Sequence, residues 1–431
     1  MTSDRKTVRA LSAFLAAGLL AASGCGEDER PLRVGVVVDC VGIGRPYREA
    51  QLSGAQLPLI ERGVERHGSR AGDGVGEVEV AGRPVELVTG CTEALEYSVL
   101  TRELRRLAEV EKVDAVVAAT SGPDQVLMRD LARAHPAVVF VPVVHGPREV
   151  TLERTAPNLF RVGGDYGQGV AGLGTHAFRE LGWRRAAVVI ANWDSGWLSR
   201  DAFTAEFCAL GGKVTDQIAI DGFDPRGRDV SRVPRNVDGV AVFSGQFFGP
   251  APFLTRLAAR MENPTRELVV GPGLADAPAR LRETATALAG VVATSQVDPA
   301  RMREHLRSYK RAFPGASSGT ARSEPVTGYR DAVEALMQAL VRAGGDTERL
   351  PVELARLRLE LLGGPVRLDE NRQAVASTAL VRIDPPEAAG EEPALTALGR
   401  TDDVDQSVGG LLRPSHSPST VPPTCRPGRS P

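Results

Sequence analysis

The sequence has no excess of charge of either sign, because 52 lysines and arginines are balanced by 54 aspartates and glutamates. A formal net charge of −2 gives no basic surface for nucleic acid or for an anionic membrane. Hydrophobic residues make up 42% and charged residues 25% of the 431 positions, which is typical of a globular chain. A chain of this length can form two ordinary domains with tails.

The sequence also lacks the motifs of common catalytic and nucleotide-binding sites. It contains no GxxxxGK[ST] phosphate loop, and Gly42–Gly44 supplies only part of a dinucleotide-binding fingerprint. Ser195 lies outside the GxSxG context of a nucleophile elbow. The six histidines are scattered singly, which indicates neither a metal cluster nor a proton relay. We therefore predict that the protein is not an enzyme and needs no cofactor or metal.

Residues 1–24 have the three parts of an export signal. Three basic residues are followed by Ala10–Ala22, an apolar run that is short for a membrane-spanning helix. Small residues then precede Cys25, an arrangement that resembles the bacterial lipobox and implies lipidation of Cys25. The alternative is a plain secretory signal in which Cys25 is incidental. We expect an exported protein of the cell envelope that contacts the membrane only through this anchor, with residues 25–31 as a tether.

The other cysteines fit an oxidising compartment. Cys40 and Cys91 each end a predicted strand, and neighbouring parallel strands would place both sulfur atoms at the same edge of a sheet. We therefore expect a disulfide between them, with two free, half-buried thiols as the alternative. Cys208 lies in a helical pattern and is predicted to belong to the core, whereas Cys425 lies in the C-terminal tail.

From residue 32 onward, short apolar runs alternate with amphipathic helical stretches. The runs are continuous and rich in β-branched residues, as is typical of strands that βαβ crossovers bury on both faces. This alternation predicts an α/β protein with two doubly wound layers. The predicted strands are 33–38, 85–88, 115–119, 138–141, 186–190, 239–243, 268–270 and 290–294. Residues 386–431 lack periodicity and are rich in proline, glycine and polar residues, which predicts a disordered tail.

Consecutive segments resemble the type I periplasmic solute-binding proteins, in particular the branched-chain amino acid (Leu/Ile/Val) ABC transporter substrate-binding family. The most specific part is the crossing segment Asn158–Arg161, followed by Asp165, Gln168 and Gly169. The other matching segments are 32–37, 54–56, 81–88, 113–117, 328–333, 364–369 and 379–383. The resemblance implies two doubly wound parallel-sheet lobes joined by three crossovers. Lobe one would comprise residues 32–160 and 268–370, and lobe two residues 161–267 and 371–385.

The resemblance also implies a function. Solute-binding proteins of this family close two lobes around a small molecule and deliver it to an ABC permease. Ligands in parallel α/β sheets bind beyond the carboxyl ends of the strands, and hinge closure would trap the solute there. We expect an amino acid, an amide or an aromatic or other organic acid. The alternatives are a ligand-sensing regulator on the same fold and a degenerate envelope interaction protein without a ligand.

Loops after the predicted strands supply the candidate ligand contacts. The helix that begins near Ser121 offers N–H groups to a carboxylate, although the same residues are ordinary helix caps and Pro123 has no donor. Trp193 would give a flat apolar wall, or it packs on its own lobe. His145 contacts the ligand or has a structural role. The predicted ligand-binding residues are Tyr47, Thr120, Ser121, Gly122, Val144, His145, Trp193, Ser195, Gln246, Phe247 and Asp276.

One departure from the family pattern concerns the partner of a ligand ammonium group. Amino acid binders commonly have an acidic residue just after the strand that returns to lobe one, and Gly273 stands at that position here. Asp276, three residues later, is the candidate substitute. Without it, a buried ammonium group would be left unpaired at a cost of several kcal/mol. Asp276 therefore decides whether an amino acid remains a plausible solute.

Overall fold

The computed structural model describes residues 30–94, 96–119, 122–143, 145–153, 155–244, 250–388, 391–413 and 425. The export signal and Cys25 lie outside the described residues, as do the predicted contacts Thr120, Ser121, Val144, Gln246 and Phe247. Within the described ranges, no helix combines the length and the apolar character that crossing a membrane requires.

Strands and helices alternate along most of the described chain. The strands are β1 (Leu32–Val41), β2 (Val78–Val80), β3 (Arg83–Glu93), β4 (Ala115–Ala118), β5 (Val139–Pro142), β6 (Arg185–Ala191), β7 (Lys213–Ile220), β8 (Gly239–Phe243), β9 (Leu268–Val270), β10 (Val292–Ser295), β11 (Arg358–Leu361), β12 (Gly364–Leu368), β13 (Ala374–Ile383) and β14 (Leu395–Val404). The helices are α1 (Arg48–Ile60), α2 (Tyr97–Arg105), α3 (Gly122–Ala134), α4 (Glu149–Leu152), α5 (Leu173–Arg179), α6 (Asp194–Ala209), α7 (Ala251–Ala258), α8 (Pro264–Glu267), α9 (Pro272–Ala275), α10 (Pro278–Thr284), α11 (Pro299–Ala312), α12 (Ser318–Arg322), α13 (Glu324–Ala343) and α14 (Leu350–Ala355).

The first sheet forms lobe one and has the strand order β2-β3-β1-β4-β5. β1 pairs in parallel with β3 and β4, and β4 pairs in parallel with β5. Successive side chains of β1 point to opposite faces: Val36 joins a core with α1 and α13, whereas Val37 joins a core with α2 and α3. The continuous apolar runs of the sequence thus correspond to strands that are covered on both faces.

The second sheet has the order β11-β12-β13-β10-β9-β8-β6-β7, with β14 paired to β13. Most of it forms lobe two, whereas buried side chains of β11 and β12 belong to the lobe-one core. Strands β6, β7, β8, β9 and β10 are mutually parallel, and β13 runs antiparallel to β10. Apolar clusters cover both faces of the sheet. The predicted fold class, two doubly wound parallel-sheet lobes, is confirmed.

The predicted lobe boundary at residue 268 is wrong. β9 (Leu268–Val270) and β10 (Val292–Ser295) lie in the second sheet, between β8 and β13. The chain returns to lobe one only after β10, where α11 and α13 contribute to the core that also contains β1. The error arose because the chain pattern marks a strand without specifying which of two parallel sheets the strand joins.

The predicted disordered tail, residues 386–431, is also wrong in part. β14 pairs antiparallel with β13 over Leu395–Val404. Beyond it, Val408 and Leu412 are buried in a lobe-two core. Cys425 forms a disulfide with Cys208 of α6, so Cys208 has a covalent partner as well as a buried position. Apolar burial and this cross-link together offset the cost of ordering a segment of polar composition.

Candidate ligand-binding cleft

The predicted disulfide between Cys40 and Cys91 is present and lies at the carboxyl edge of the lobe-one sheet. β1 and β3 pair in parallel with Val38 opposite Cys91, and this register brings the two strand ends together. The Cα atoms of the two cysteines are 5.4 Å apart, within the ordinary range for a disulfide. The cross-link fixes two neighbouring strand ends at the edge from which the ligand-binding loops of this fold class begin.

His145 and Glu324 form a hydrogen-bonded pair within lobe one. His145 follows β5, and its Nδ1 atom lies 3.0 Å from Oε1 of Glu324 in the first turn of α13. The backbone N–H of His145 also donates to this carboxylate oxygen, at 3.3 Å. Both side chains are partly exposed, His145 by 23% and Glu324 by 16%. The pair fixes the ring of His145 in orientation while part of it remains accessible.

A glycine lets α13 approach the loop that carries His145. A Cβ atom on Gly328 would lie 2.6 Å from Cγ1 and 2.8 Å from the carbonyl oxygen of Val143. No side chain fits in that space, because real Cβ atoms do not approach other atoms so closely. Gly328 is one helical turn after Glu324, so the close contact sets the position of the carboxylate against His145.

Asp276 belongs to lobe two and stands at the carboxyl ends of β9 and β10. Its Oδ1 accepts a hydrogen bond from the Ser295 hydroxyl at 2.6 Å, and its Oδ2 accepts one from the Gln296 N–H at 3.1 Å. Burial raises the pKa of Asp276 to about 6, although both hydrogen bonds oppose the rise. The charge of His145 also lowers this pKa and that of Glu324 raises it, so Asp276 of lobe two and the His145–Glu324 pair of lobe one act on each other electrostatically.

A second carboxylate, Asp194, lies in the first turn of α6 directly after β6. Its Oδ1 accepts the N–H of Ser195 at 2.7 Å. Burial is the main cause that raises the pKa of Asp194 to about 6. Tyr97 of lobe one is affected by the same carboxylate: burial raises its pKa, and the charges of Asp124 and Asp194 raise it further. Tyr97 of lobe one and Asp194 of lobe two therefore interact electrostatically.

The two tryptophans near the start of α6, Trp193 and Trp197, have different surroundings. Trp197 donates its Nε1–H to Oδ1 of Asn192 at 2.8 Å and packs against the lobe-two core. Trp193 precedes α6 and is 39% exposed. Trp197 thus matches the packing alternative, whereas Trp193 has the exposure that a ligand contact needs.

Residues 31–391 match the family model described as periplasmic binding protein. The chain belongs to this family. The predicted family is therefore confirmed, and the family and its structural neighbours are exported solute-binding proteins, not enzymes. A comparison with curated proteins finds no match.

Solved structures with the same fold support this assignment. An ABC transporter substrate-binding protein from Sphaerobacter thermophilus has 21% identity and a TM-score of 0.75, covering 88% of this chain and 99% of that chain. A solute-binding protein from Rhodopseudomonas palustris BisB5, in complex with 3,4-dihydroxybenzoic acid, has 20% identity and a TM-score of 0.70, with coverages of 88% and 99%. A leucine-binding protein from Thermotoga maritima has 20% identity and a TM-score of 0.66, with coverages of 86% and 99%.

In this periplasmic binding protein, Arg161 joins two of the crossovers between the lobes. Its side chain is fully buried and donates to Pro147 O at 2.7 Å and to the side-chain oxygen of Gln373. Its backbone N–H donates to Arg372 O at 3.0 Å. This bond places the first crossover, at Arg161, beside the third crossover, at Arg372. Burial lowers the pKa of Arg161 to about 10, so the guanidinium remains charged at neutral pH.

The described predicted residues divide into two groups. His145, Trp193, Ser195 and Asp276 follow the carboxyl ends of β5, β6 and β9. Tyr47 ends a 3-10 turn after β1 and is 46% exposed, and Gly122 begins α3. In addition, sequence reasoning missed four groups in the periplasmic binding protein that interact electrostatically with Asp276 or with one another: Tyr97, Tyr166, Asp194 and Glu324.

One sequence signal could have identified Glu324. Its position in the first turn after Ser323 is typical of a helix start, and helix starts line the clefts of parallel α/β sheets. No sequence signal marks Tyr166, which follows the crossing segment. In the part of the chain that the structure describes, no group of three or more His, Cys, Asp or Glu side chains could hold a metal ion.

Proposed function

We propose that this protein is the receptor of an ABC importer, and that it closes its two lobes around a small organic solute and delivers it to a permease. One observation supports the proposal: the His145–Glu324 pair of lobe one interacts electrostatically with Asp276 of lobe two, and these residues follow strand ends or begin a helix, where this fold class binds ligands. Closure would bring a solute between groups of both lobes, as hinge closure requires. Lipidation at Cys25 would keep the receptor at the membrane.

The charges of the cleft favour a solute with an amino group. Asp194 and Asp276 both have a pKa raised by burial to about 6, so each carboxylate lacks enough compensating positive charge in the solute-free protein. A bound ammonium group would supply that charge and lower both pKa values. Tyr97 and Trp193, each partly exposed, would cover an apolar part of the solute. Amino acids and other amines therefore rank above simple aromatic acids.

A thermal-shift panel of amino acids, amides and aromatic acids tests the proposal. A solute at 100 times its dissociation constant adds about 2.7 kcal/mol to the stability of the folded state. We expect an amine-bearing compound to raise the melting temperature at pH 7. A panel without any stabilising compound would refute solute binding and favour the degenerate envelope protein. Stabilisation by aromatic acids alone would refute the role of the carboxylates.

Substitution of Asp276 separates charge pairing from general effects on the fold. Asp276→Asn should weaken binding of the amine by at least tenfold, because a buried ammonium group loses its charged partner. Asp346→Asn, beyond the end of α13, is the matched control and should leave affinity unchanged. Equal affinities of both variants would contradict the assigned partner. Isothermal titration calorimetry gives the dissociation constants.

The role as an importer receptor is tested in cells. Deletion of the gene should abolish uptake of the radiolabelled solute, and re-expression should restore it. Uptake that continues without the protein, together with a lost transcriptional response to the solute, would favour the regulator. Cys25→Ala should release the protein from the membrane fraction if Cys25 carries the lipid.

A further inference from the structure

The segment after the third crossover contacts both lobes at the hinge. Residues 395–412, the C-terminal strap, begin with β14 and continue through a turn whose Val408 and Leu412 are buried in the lobe-two core. Between the buried residues Val404 and Val408, the side chain of Gln406 is only 4% exposed. The strap is therefore anchored in lobe two, and Gln406 is held in a fixed place.

Gln406 connects the strap to lobe one. Its Oε1 accepts a hydrogen bond from the Thr151 hydroxyl at 3.0 Å, and its backbone carbonyl accepts one from Nη2 of Arg148 at 2.9 Å. Both partners belong to the segment after β5, whose Val150 is fully buried in a lobe-one core. The remaining amide group, Nε2, donates to Oδ2 of Asp165 in the first crossover at 3.1 Å.

Arg148 makes these contacts costly to lose. It is 1% exposed, and its Nε and Nη1 atoms have no hydrogen-bond partner among the described residues. The bond from Nη2 to the carbonyl oxygen of Gln406 is therefore important for this buried guanidinium. Its loss would leave a further buried N–H group without a partner, at the full desolvation cost of that group. Separation of the strap from lobe one would remove that bond unless water replaced it.

We propose that Gln406 is a positioning residue for lobe closure: through it the C-terminal strap ties lobe one to lobe two and stabilises the arrangement in which the two sides of the cleft face each other. Because the bonds lie within the protein, the strap acts before any solute is bound. The inference thus goes beyond solute binding and is testable without a ligand.

The test measures the distance between the lobes in the full, solute-free protein. Ser98→Cys in α2 of lobe one and Thr255→Cys in α7 of lobe two are exposed positions, and they accept spin labels for pulsed dipolar spectroscopy. Gln406→Met keeps the length of the side chain and removes its hydrogen bonds. Gln338→Met is the matched control, because Gln338 bonds only to Glu334 of the same helix in the described chain.

We expect Gln406→Met to lower the ratio of the short to the long interlobe distance roughly fivefold, as the loss of one interlobe hydrogen bond predicts. Gln338→Met should keep the wild-type distribution. Thr151→Val removes the same interlobe bond from the lobe-one side and should reproduce the shift even if Gln406→Met folds poorly. Wild-type distance distributions in the folded Thr151→Val protein would overturn the proposal, whatever the outcome of the solute panel.

Discussion

Asp276→Asn should stabilise the solute-free protein at neutral pH even though it impairs solute binding. Burial raises the pKa of Asp276 from 3.8 to about 6, so the folded state binds more protons than the unfolded state between these values. Stability therefore falls as pH rises from about 4 to about 6, by about 3 kcal/mol in total. Asparagine avoids this cost but accepts only one of the two hydrogen bonds, a loss of about 1 kcal/mol. The net gain at pH 7 is about 2 kcal/mol.

The assay is denaturant unfolding of the wild type and the variant at pH 7 and pH 4. At pH 4 the wild-type carboxyl group is protonated in the folded state, so the advantage of asparagine should disappear and the variant should be up to about 1 kcal/mol less stable than the wild type. Asp346→Asn, in the turn after α13, again serves as the control. A variant less stable than the wild type at pH 7, or an advantage that is undiminished at pH 4, would refute the reasoning. A stabilised variant that no longer binds amines identifies Asp276 as a residue kept for function.

Two further predictions concern the lobe-two core and the C-terminus. Gly239→Ala should lower the free energy of unfolding by about 2–3 kcal/mol, because the new Cβ atom would lie 1.9 Å from the ring of Trp183. Gly222→Ala is the control and should cost much less, because a Cβ atom there would have nothing within 4 Å. Chemical denaturation compares the two variants. Cys208→Ser combined with Cys425→Ser should lower the free energy of unfolding by up to about 5 kcal/mol, because the disulfide closes a loop with a sequence separation of 217. Calorimetry of this double variant, which retains the Cys40–Cys91 disulfide, measures the loss. Unchanged unfolding in either case would contradict the packing or the cross-link.

The strands were predictable wherever both of their faces are buried. The run that predicted a strand at 239–243 coincides with β8, every residue of which is buried. β7 and β14, in contrast, alternate with many exposed residues, and neither was predicted. β14 also follows a stretch rich in proline and acidic residues, and its order depends on pairing with β13, which is a contact that local composition does not reveal.

The candidate site was predictable only in part, because a cleft between lobes is assembled from distant segments. His145 and Asp276 were predicted from their positions after strands. The contact between His145 and Glu324 was not predicted, since it requires α13 to bring Glu324 from 179 positions further along the chain. Asp194 was regarded only as the neighbour of Ser195, because nothing in the sequence marks a carboxylate whose burial raises its pKa.

The tight packing of Gly328 on Val143 has a consequence for how solute preference can change. A methyl group at position 328 would push the start of α13 away from the loop and move Glu324 relative to His145. The cleft would then have a different distribution of charge although every side chain that faces the solute was kept. A substitution at this glycine would thus change the charge distribution of the cleft without replacing a single contact residue.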